Sequence, residues 1–131
     1  MRGCRSTTML WSGAPYEYSR SADGLVFTAG ACPLDLNGNV VAPGDLEAQA
    51  RQVVDNLVAA LADAGAAPDS LLKTTIYVTT DTRAELVLVW QVVAARLGRT
   101  PSTLLGVACL GYPEQLVEIE AIAAVKPTPQ G

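Results

Sequence analysis

The sequence predicts an α+β domain, a sandwich with the order β–β–α–β–α–β–β and both helices packed on one face of a mixed sheet. A length of 131 residues suits a single domain spanning 1–131. Half the residues are hydrophobic and 17% are charged, enough to build a core and too apolar for disorder. Short β-branched runs alternate with two longer stretches of three-four periodicity. Short connections and right-handed crossovers fold that order into two layers.

The first element is Leu25–Ala29, a β-branched and aromatic run between Asp23-Gly24 and Gly30 that reads as a buried strand. Asn37-Gly38 signals a tight turn, after which Asn39–Val41 is expected to pair back as a minor strand. Pro43-Gly44 breaks the chain, and Asp45 stands where a helix N-cap belongs. From Asp45 to Ala64, Leu46, Ala50, Val53, Leu57, Ala60, Leu61 and Ala64 form the apolar face of a helix. Gln49, Arg51, Gln52, Asp55, Asn56 and Asp63 are expected round its surface, with Gly65 as the stop.

Leu71–Thr79 reads as a strand. Thr82 and Glu85 have the spacing of a capping box that starts a second helix, Arg83–Leu97, ended by Gly98. Leu86, Val89, Trp90, Val93 and Leu97 are its buried stripe, widened by Leu88 and Val92. Thr103–Leu110 and Leu116–Val125 read as strands joined in a hairpin at Gly111-Tyr112-Pro113. The Leu25–Ala29 and Leu104–Leu110 runs are too apolar on both faces for water, so the open face of the sheet is expected to meet another copy of the chain. Residues 1–14 and 126–131 are expected to be flexible or peripheral.

Composition excludes several function classes. The net charge is −4, which argues against the basic footprint that nucleic-acid binding needs. Histidine is absent, so no Ser-His-Asp or Cys-His relay and no histidine-ligated zinc or haem is available. Cys4, Cys32 and Cys109 are widely spaced with no CxxC pair, which points away from a disulfide framework or metal site and towards a reducing cytoplasm. Cys4 in the terminus is chemically available without being catalytic; Cys32 and Cys109 read as inert packed thiols, Cys109 within the core. No apolar run has the length of a membrane span, and the first residues lack the apolar region of a signal peptide.

Taken together, Pro15-Tyr16, the segment TAGACPLD, the helix start EAQARQVVDN, the strand KTTIYVT and the closing VEIEAIA resemble the RidA/YjgF family of reactive-intermediate deaminases. The resemblance runs from Tyr16 to Val125. It implies a chorismate-mutase-like fold and a homotrimer with clefts between subunits. In that family the clefts hydrolyse enamine or imine intermediates, such as 2-aminoacrylate, to a keto acid and ammonia, without a metal or organic cofactor.

Carried over by position, the resemblance makes Tyr16 an active-site tyrosine and Gly30 a cleft-lining glycine. It makes Glu118, the first Glu of EIE, the residue that positions the attacking water. The family's carboxylate-clamping arginine falls on Ser102, and the small residue two positions on becomes Leu104. The hairpin looks one residue longer than the usual form, and the alternative register, on Thr103, supplies no arginine either. A serine cannot reproduce the bidentate grip of a guanidinium. Arg99, beside Thr100-Pro101, is the first candidate to swing into the gap, ahead of Lys73 and Arg20.

Glu118 and Glu120 flank Ile119 on a strand, so both carboxylates point to one sheet face. Glu118 is assigned the water; Glu120 is read as structural. The function read from these residues is a cofactor-free deaminase of a small enamine or imine, with substrate preference altered by Ser102. Ser102, Tyr16, Gly30, Leu104 and Arg99 are assigned to substrate contacts. A non-catalytic trimer that binds a small metabolite is the alternative, and an endoribonuclease is a third reading that the charge balance opposes.

Overall fold

The architecture comes from a computed structural model that describes residues 9–126; residues 1–8, with Cys4, and 127–131 lie outside the described residues. Five strands form one mixed sheet: β1 (Ser19–Ala22), β2 (Leu25–Thr28), β3 (Leu71–Thr79), β4 (Ser102–Val107) and β5 (Val117–Ala124). Their spatial order is β1-β2-β5-β3-β4, antiparallel except for the parallel pair β3/β4. Helices α1 (Leu46–Asp63) and α2 (Arg83–Leu97) pack on the sheet and against each other. The predicted sandwich of two helices on a mixed sheet is therefore the observed one.

Both helices begin and end for the expected reasons. The Asp45 side chain accepts from the Ala48 N–H at 3.0 Å, and Thr82 accepts from the Glu85 N–H at 3.4 Å. Glu85 completes no reciprocal box; its carboxylate takes the Thr80 hydroxyl instead. The core lies between layers. Leu57 and Leu61 of α1 and Val89 and Val93 of α2 meet Ile76 and Val78 of β3 and Val117, Ile119 and Ala123 of β5.

Five expectations are corrected. Asn39–Val41 is not a strand; it pairs back across the Asn37-Gly38 turn only through the isolated bridge Leu34↔Val40. The first hairpin, absent from the expected elements, is β1 with β2, closed by Asp23 (φ 52°) and Gly24 (φ 78°), two left-handed residues that match the strand twist. The polar SRSA segment of β1 is mostly exposed on the sheet edge, so it carries no apolar signal. Thr103–Leu110 is not a hairpin partner of β5. After the α2 crossover β4 pairs with β3, ends at Val107, and the chain passes round the end of β3 to enter β5 on its other side.

Cys109 consequently lies beyond β4 and is exposed, not in the core. Gln49 (0% exposed) and Asn56 (8%) are buried, not on the α1 surface. Part of the N-terminal segment expected to be peripheral also packs: Leu10 is buried, and the Trp11 ring lies directly on Gly38. On the face away from the helices, Phe27 and Leu105 are 46% and 43% exposed in the single chain. Among the described residues no helix is long and apolar enough to cross a membrane.

Candidate functional site

Alternation along β5 sends Val117, Ile119, Ala121 and Ala123 into the core and Glu118 and Glu120 to the open face. Glu120 is exposed and accepts from the Tyr77 hydroxyl at 3.0 Å. Glu118 is half-buried in a different setting. Beyond β2, Ala31 bridges Ile119 with paired backbone bonds of 2.7 and 3.2 Å, which lays Gly30 beside the Glu118 side chain. A Cβ at Gly30 would stand 2.0 Å from Glu118 Oε2, so only glycine leaves room for this carboxylate.

Glu118 Oε1 accepts from Gln115 Nε2 at 3.0 Å and from the Cys32 thiol at 3.5 Å. Gln115 Oε1 accepts from the Tyr112 N–H at 3.1 Å, and the Tyr112 hydroxyl lies 3.2 Å from that of Tyr16. Tyr16 packs edge-on against Tyr18, whose hydroxyl donates to the Trp11 carbonyl at 2.5 Å. One chain therefore gathers Tyr16, Gly30 and Glu118 with Cys32, Tyr112 and Gln115.

Two buried amides of α1 hold the loops that supply these groups. Gln49 Nε2 donates to the Glu114 carbonyl at 3.0 Å, and its Oε1 accepts from the Leu116 N–H at 2.8 Å. That pins the left-handed Glu114 (φ 65°) and the Gln115 between them. Asn56 Nδ2 donates to the carbonyls of Cys32 at 2.8 Å and Leu34 at 3.0 Å. Unpaired carbonyls there would carry a desolvation penalty; the amides remove it and fix both loops.

Local electrostatics keep the hydroxyl and thiol protonated. Burial, then the bond with Tyr112, pushes the Tyr16 hydroxyl far above the ordinary phenol range, so Tyr16 serves as a neutral O–H. Burial, then the neighbouring Glu118 charge, pushes the Cys32 thiol from 9.0 up to about 12. Between those values the unfolded thiol ionises while the folded one keeps its proton. The Cys32 contribution to stability is thus whole below pH 9 and is lost as pH rises towards 12. Iodoacetamide at pH 8, followed by peptide mass mapping, is expected to label exposed Cys109 at least tenfold faster than Cys32. Equal rates would contradict the burial and bonding of Cys32.

The other assigned residues lie elsewhere in the chain. Ser102 Oγ donates to the Thr100 carbonyl at 2.9 Å and lies 2.7 Å from Thr74 Oγ1, whose side chain is 1% exposed. Leu104, paired with Ile76, packs against the core. Ser102 pairs with Thr74 and Glu118 with Tyr77, about 10 Å apart along β3. Ser102 and Leu104 thus turn to the helix-covered face while Glu118 turns to the open one.

Arg99 is exposed after α2, in a groove with Trp90 and Pro101. Lys73 donates to Thr103 Oγ1 at 2.6 Å on the open face. The six assigned residues form two groups, Tyr16–Gly30–Glu118 and Arg99–Ser102–Leu104, that one chain does not bring together. Among the described residues no cluster of three or more His, Cys, Asp or Glu could hold a metal ion.

Sequence reasoning missed Gln115 and Tyr112, which sit in an irregular turn without periodicity. It also undervalued Cys32, whose partner Glu118 is 86 positions away. Gly30→Ala is expected to drive the Glu118 carboxylate from its place. If that carboxylate does chemistry, the variant loses turnover at least tenfold while circular dichroism stays native; retained activity would show that the carboxylate's seat is immaterial.

The chain matches the protein family described as Endoribonuclease L-PSP over residues 8–125. It is 31% identical to a RutC family protein of Pyrococcus horikoshii over 110 residues, 83% of this chain and 86% of that protein. Among solved structures it is similar to YyfA of Yersinia pestis, a Rid-family protein of unknown function: TM-score 0.80, 31% identity, 91% of this chain and 95% of the other covered. It is also similar to a Mycobacterium tuberculosis member of the YjgF/YER057c/UK114 family: TM-score 0.73, 32% identity, 90% and 98% covered.

Proposed function

The chain belongs to the RidA/YjgF family, described as Endoribonuclease L-PSP, and on that premise we propose that it hydrolyses a small enamine or imine to a carbonyl compound and ammonia. The observation that carries the reading is the seated Glu118 carboxylate, with Oε1 bonded to Gln115 and Cys32 and Oε2 over Gly30. Oε2 takes a proton from water as the water oxygen bonds to the carbon of the protonated imine and the C=N electron pair moves to nitrogen, giving a neutral carbinolamine. Glu118 then hands that proton to the nitrogen; the hydroxyl proton passes to Oε2 as the C–N bond breaks and ammonia departs with the bonding pair, leaving C=O, and the carboxyl proton is released to solvent. An enamine enters the same path after protonation at carbon. The neutral Tyr16 hydroxyl is placed to contact the substrate beside Glu118.

The working site lies between copies of the chain in a homotrimer. Arg99 of one copy faces Tyr16, Gly30 and Glu118 of the next, which accounts for their separation within a single chain, while Ser102 and Leu104, turned to the helix-covered face, back that half of the cleft without touching substrate. The half-exposed Phe27 and Leu105 give the open sheet face the apolar surface that such an assembly covers. Ser102 spends its hydroxyl on Thr74 and Thr100 and offers no charge, so the preferred substrate is one without a carboxylate at that place, unless Arg99 supplies the grip.

Mixing tests the shared site. Glu118→Gln and a variant crippled in the other half, Arg99→Ala, are unfolded together and refolded. Ammonia release above that of either variant alone is expected, because some clefts then receive two native halves. A mixture no better than its components contradicts a shared cleft. The turned-in Ser102 hydroxyl also favours a second reading, a trimer that binds a small metabolite without turnover. Ribonuclease chemistry fits less well with a net charge of −4 and no histidine.

A further inference from the structure

Two groups converge on Glu118 that the hydrolysis, as written, leaves unused, Gln115 and Cys32, and Tyr112 in turn holds Gln115. Gln115 is 3% exposed, and every polar group of its amide is committed. Nε2 donates to Glu118 Oε1 at 3.0 Å and to the Val117 carbonyl at 3.1 Å, while Oε1 accepts from the Tyr112 N–H at 3.1 Å. The amide fits in this orientation alone. Flipped, it would set oxygen against the Val117 carbonyl and the carboxylate, and two donors against each other at Tyr112. The Cys32 thiol is the second donor to the same oxygen and also lies 3.4 Å from the Gly30 carbonyl.

We infer that Gln115 and Cys32 are positioning residues that hold Glu118 Oε1, so that Oε2 alone is presented over Gly30 to take the proton of the attacking water. The inference rests on the hydrolytic reading above and goes beyond it by assigning the groups that set the base. A glutamate on an open sheet face is free to change rotamer and to turn its two oxygens. Two donors on one oxygen remove that freedom before substrate arrives, so less ordering remains for the reaction step. Cys32 acts here as a proton-bearing donor and not as a nucleophile, in keeping with the raised ionisation of its thiol. Neither residue has to touch the substrate.

The test combines kinetics with a readout that needs no substrate. Gln115→Leu is expected to lower kcat about 10- to 100-fold with KM within twofold, as misplacement of a reacting group does. In a Glu118→Gln background the same substitution is expected to change kcat less than twofold, since its effect passes through Glu118. An equal loss in both backgrounds marks a merely structural role and overturns the inference. Should Gln115→Leu fail to fold, Cys32→Ala and Cys32→Ser replace it: Ser keeps a donor and is expected to restore most of what Ala loses, and equal activities would count against the clamp.

Cys32 alkylation by iodoacetamide at pH 9 reads the contact directly. Glu118→Gln removes the charge facing the thiol and is expected to speed labelling at least about fivefold. Gln115→Leu also removes an interaction that favours the thiolate, so it is measured in the native and the Glu118→Gln backgrounds; by releasing the carboxylate it is expected to give a labelling rate ratio, variant over its parent, at least about twofold higher in the native background. If the native protein releases no ammonia from any imine, the hydrolytic reading fails, and labelling still decides the clamp. Acceleration in Glu118→Gln with that difference between backgrounds supports it, whereas a native rate in Glu118→Gln or equal ratios in the two backgrounds overturn it.

Discussion

Glu118→Gln is expected to reduce ammonia release from an accepted imine by about 10²- to 10⁴-fold, the usual contribution of a positioned general base. Glutamine keeps the shape, and its carbonyl oxygen still accepts from Gln115, so the fold and the Gly30 contact survive. What disappears is the carboxylate oxygen that the proposed mechanism uses to take a proton from water. The loss falls on kcat more than on KM, because the interaction strengthens only as the water attacks. Substrate consumption at several concentrations, with circular dichroism as the folding control, separates the two. A drop of less than threefold would remove Glu118 from the chemistry.

The second large effect concerns stability. Gln49→Leu leaves the Leu116 N–H and the Glu114 carbonyl without their partner beneath a fully buried position. At about 1–3 kcal/mol for each unsatisfied group, the substitution is expected to destabilise the protein by about 3 kcal/mol. That is a large share of the roughly 5–15 kcal/mol by which domains are stable. Urea unfolding at fixed protein concentration, followed by tryptophan fluorescence, is expected to show the midpoint falling by roughly 1–2 M. Activity is expected to fall too, because Gln115 sits between the two released groups. A change below about 0.5 kcal/mol would return Gln49 to the helix surface, where its polarity alone had put it.

That error shows how the sequence can be read and misread. Positions 49, 53, 56 and 60 recur at intervals of four, three and four, so periodicity alone puts Gln49 and Asn56 on the buried stripe with Val53 and Ala60. Treating every amide as solvent-facing overrode a correct geometric signal. The helices themselves were legible because apolar period and caps agree: Asp45 and Thr82 start them, and Gly98 stops the second with φ 77°. Asp23-Gly24 was visible as punctuation, yet its value as a two-residue hairpin turn went unused because the SRSA partner lacks an apolar pattern.

Strand pairing was harder to see. Nothing local in TLLGVACL says that it lies parallel to β3 rather than folding back on its successor; the α2 crossover decides that. For the candidate site, family resemblance pointed to Glu118, Gly30 and Tyr16, which the fold brings together. Gln115 and Cys32 were not legible, because their role arises from a turn and a loop joined only in three dimensions.

The most direct measurement is ammonia release by the native protein from imines and enamines generated in situ from a panel of precursors, half bearing a carboxylate and half not, with Thr103→Arg, on the open face, alongside. The account predicts turnover by the native chain that favours carboxylate-free precursors, and a shift towards carboxylate-bearing ones in Thr103→Arg. No ammonia above background from any precursor, in either protein, would contradict hydrolysis at Glu118 and leave a binding protein in its place.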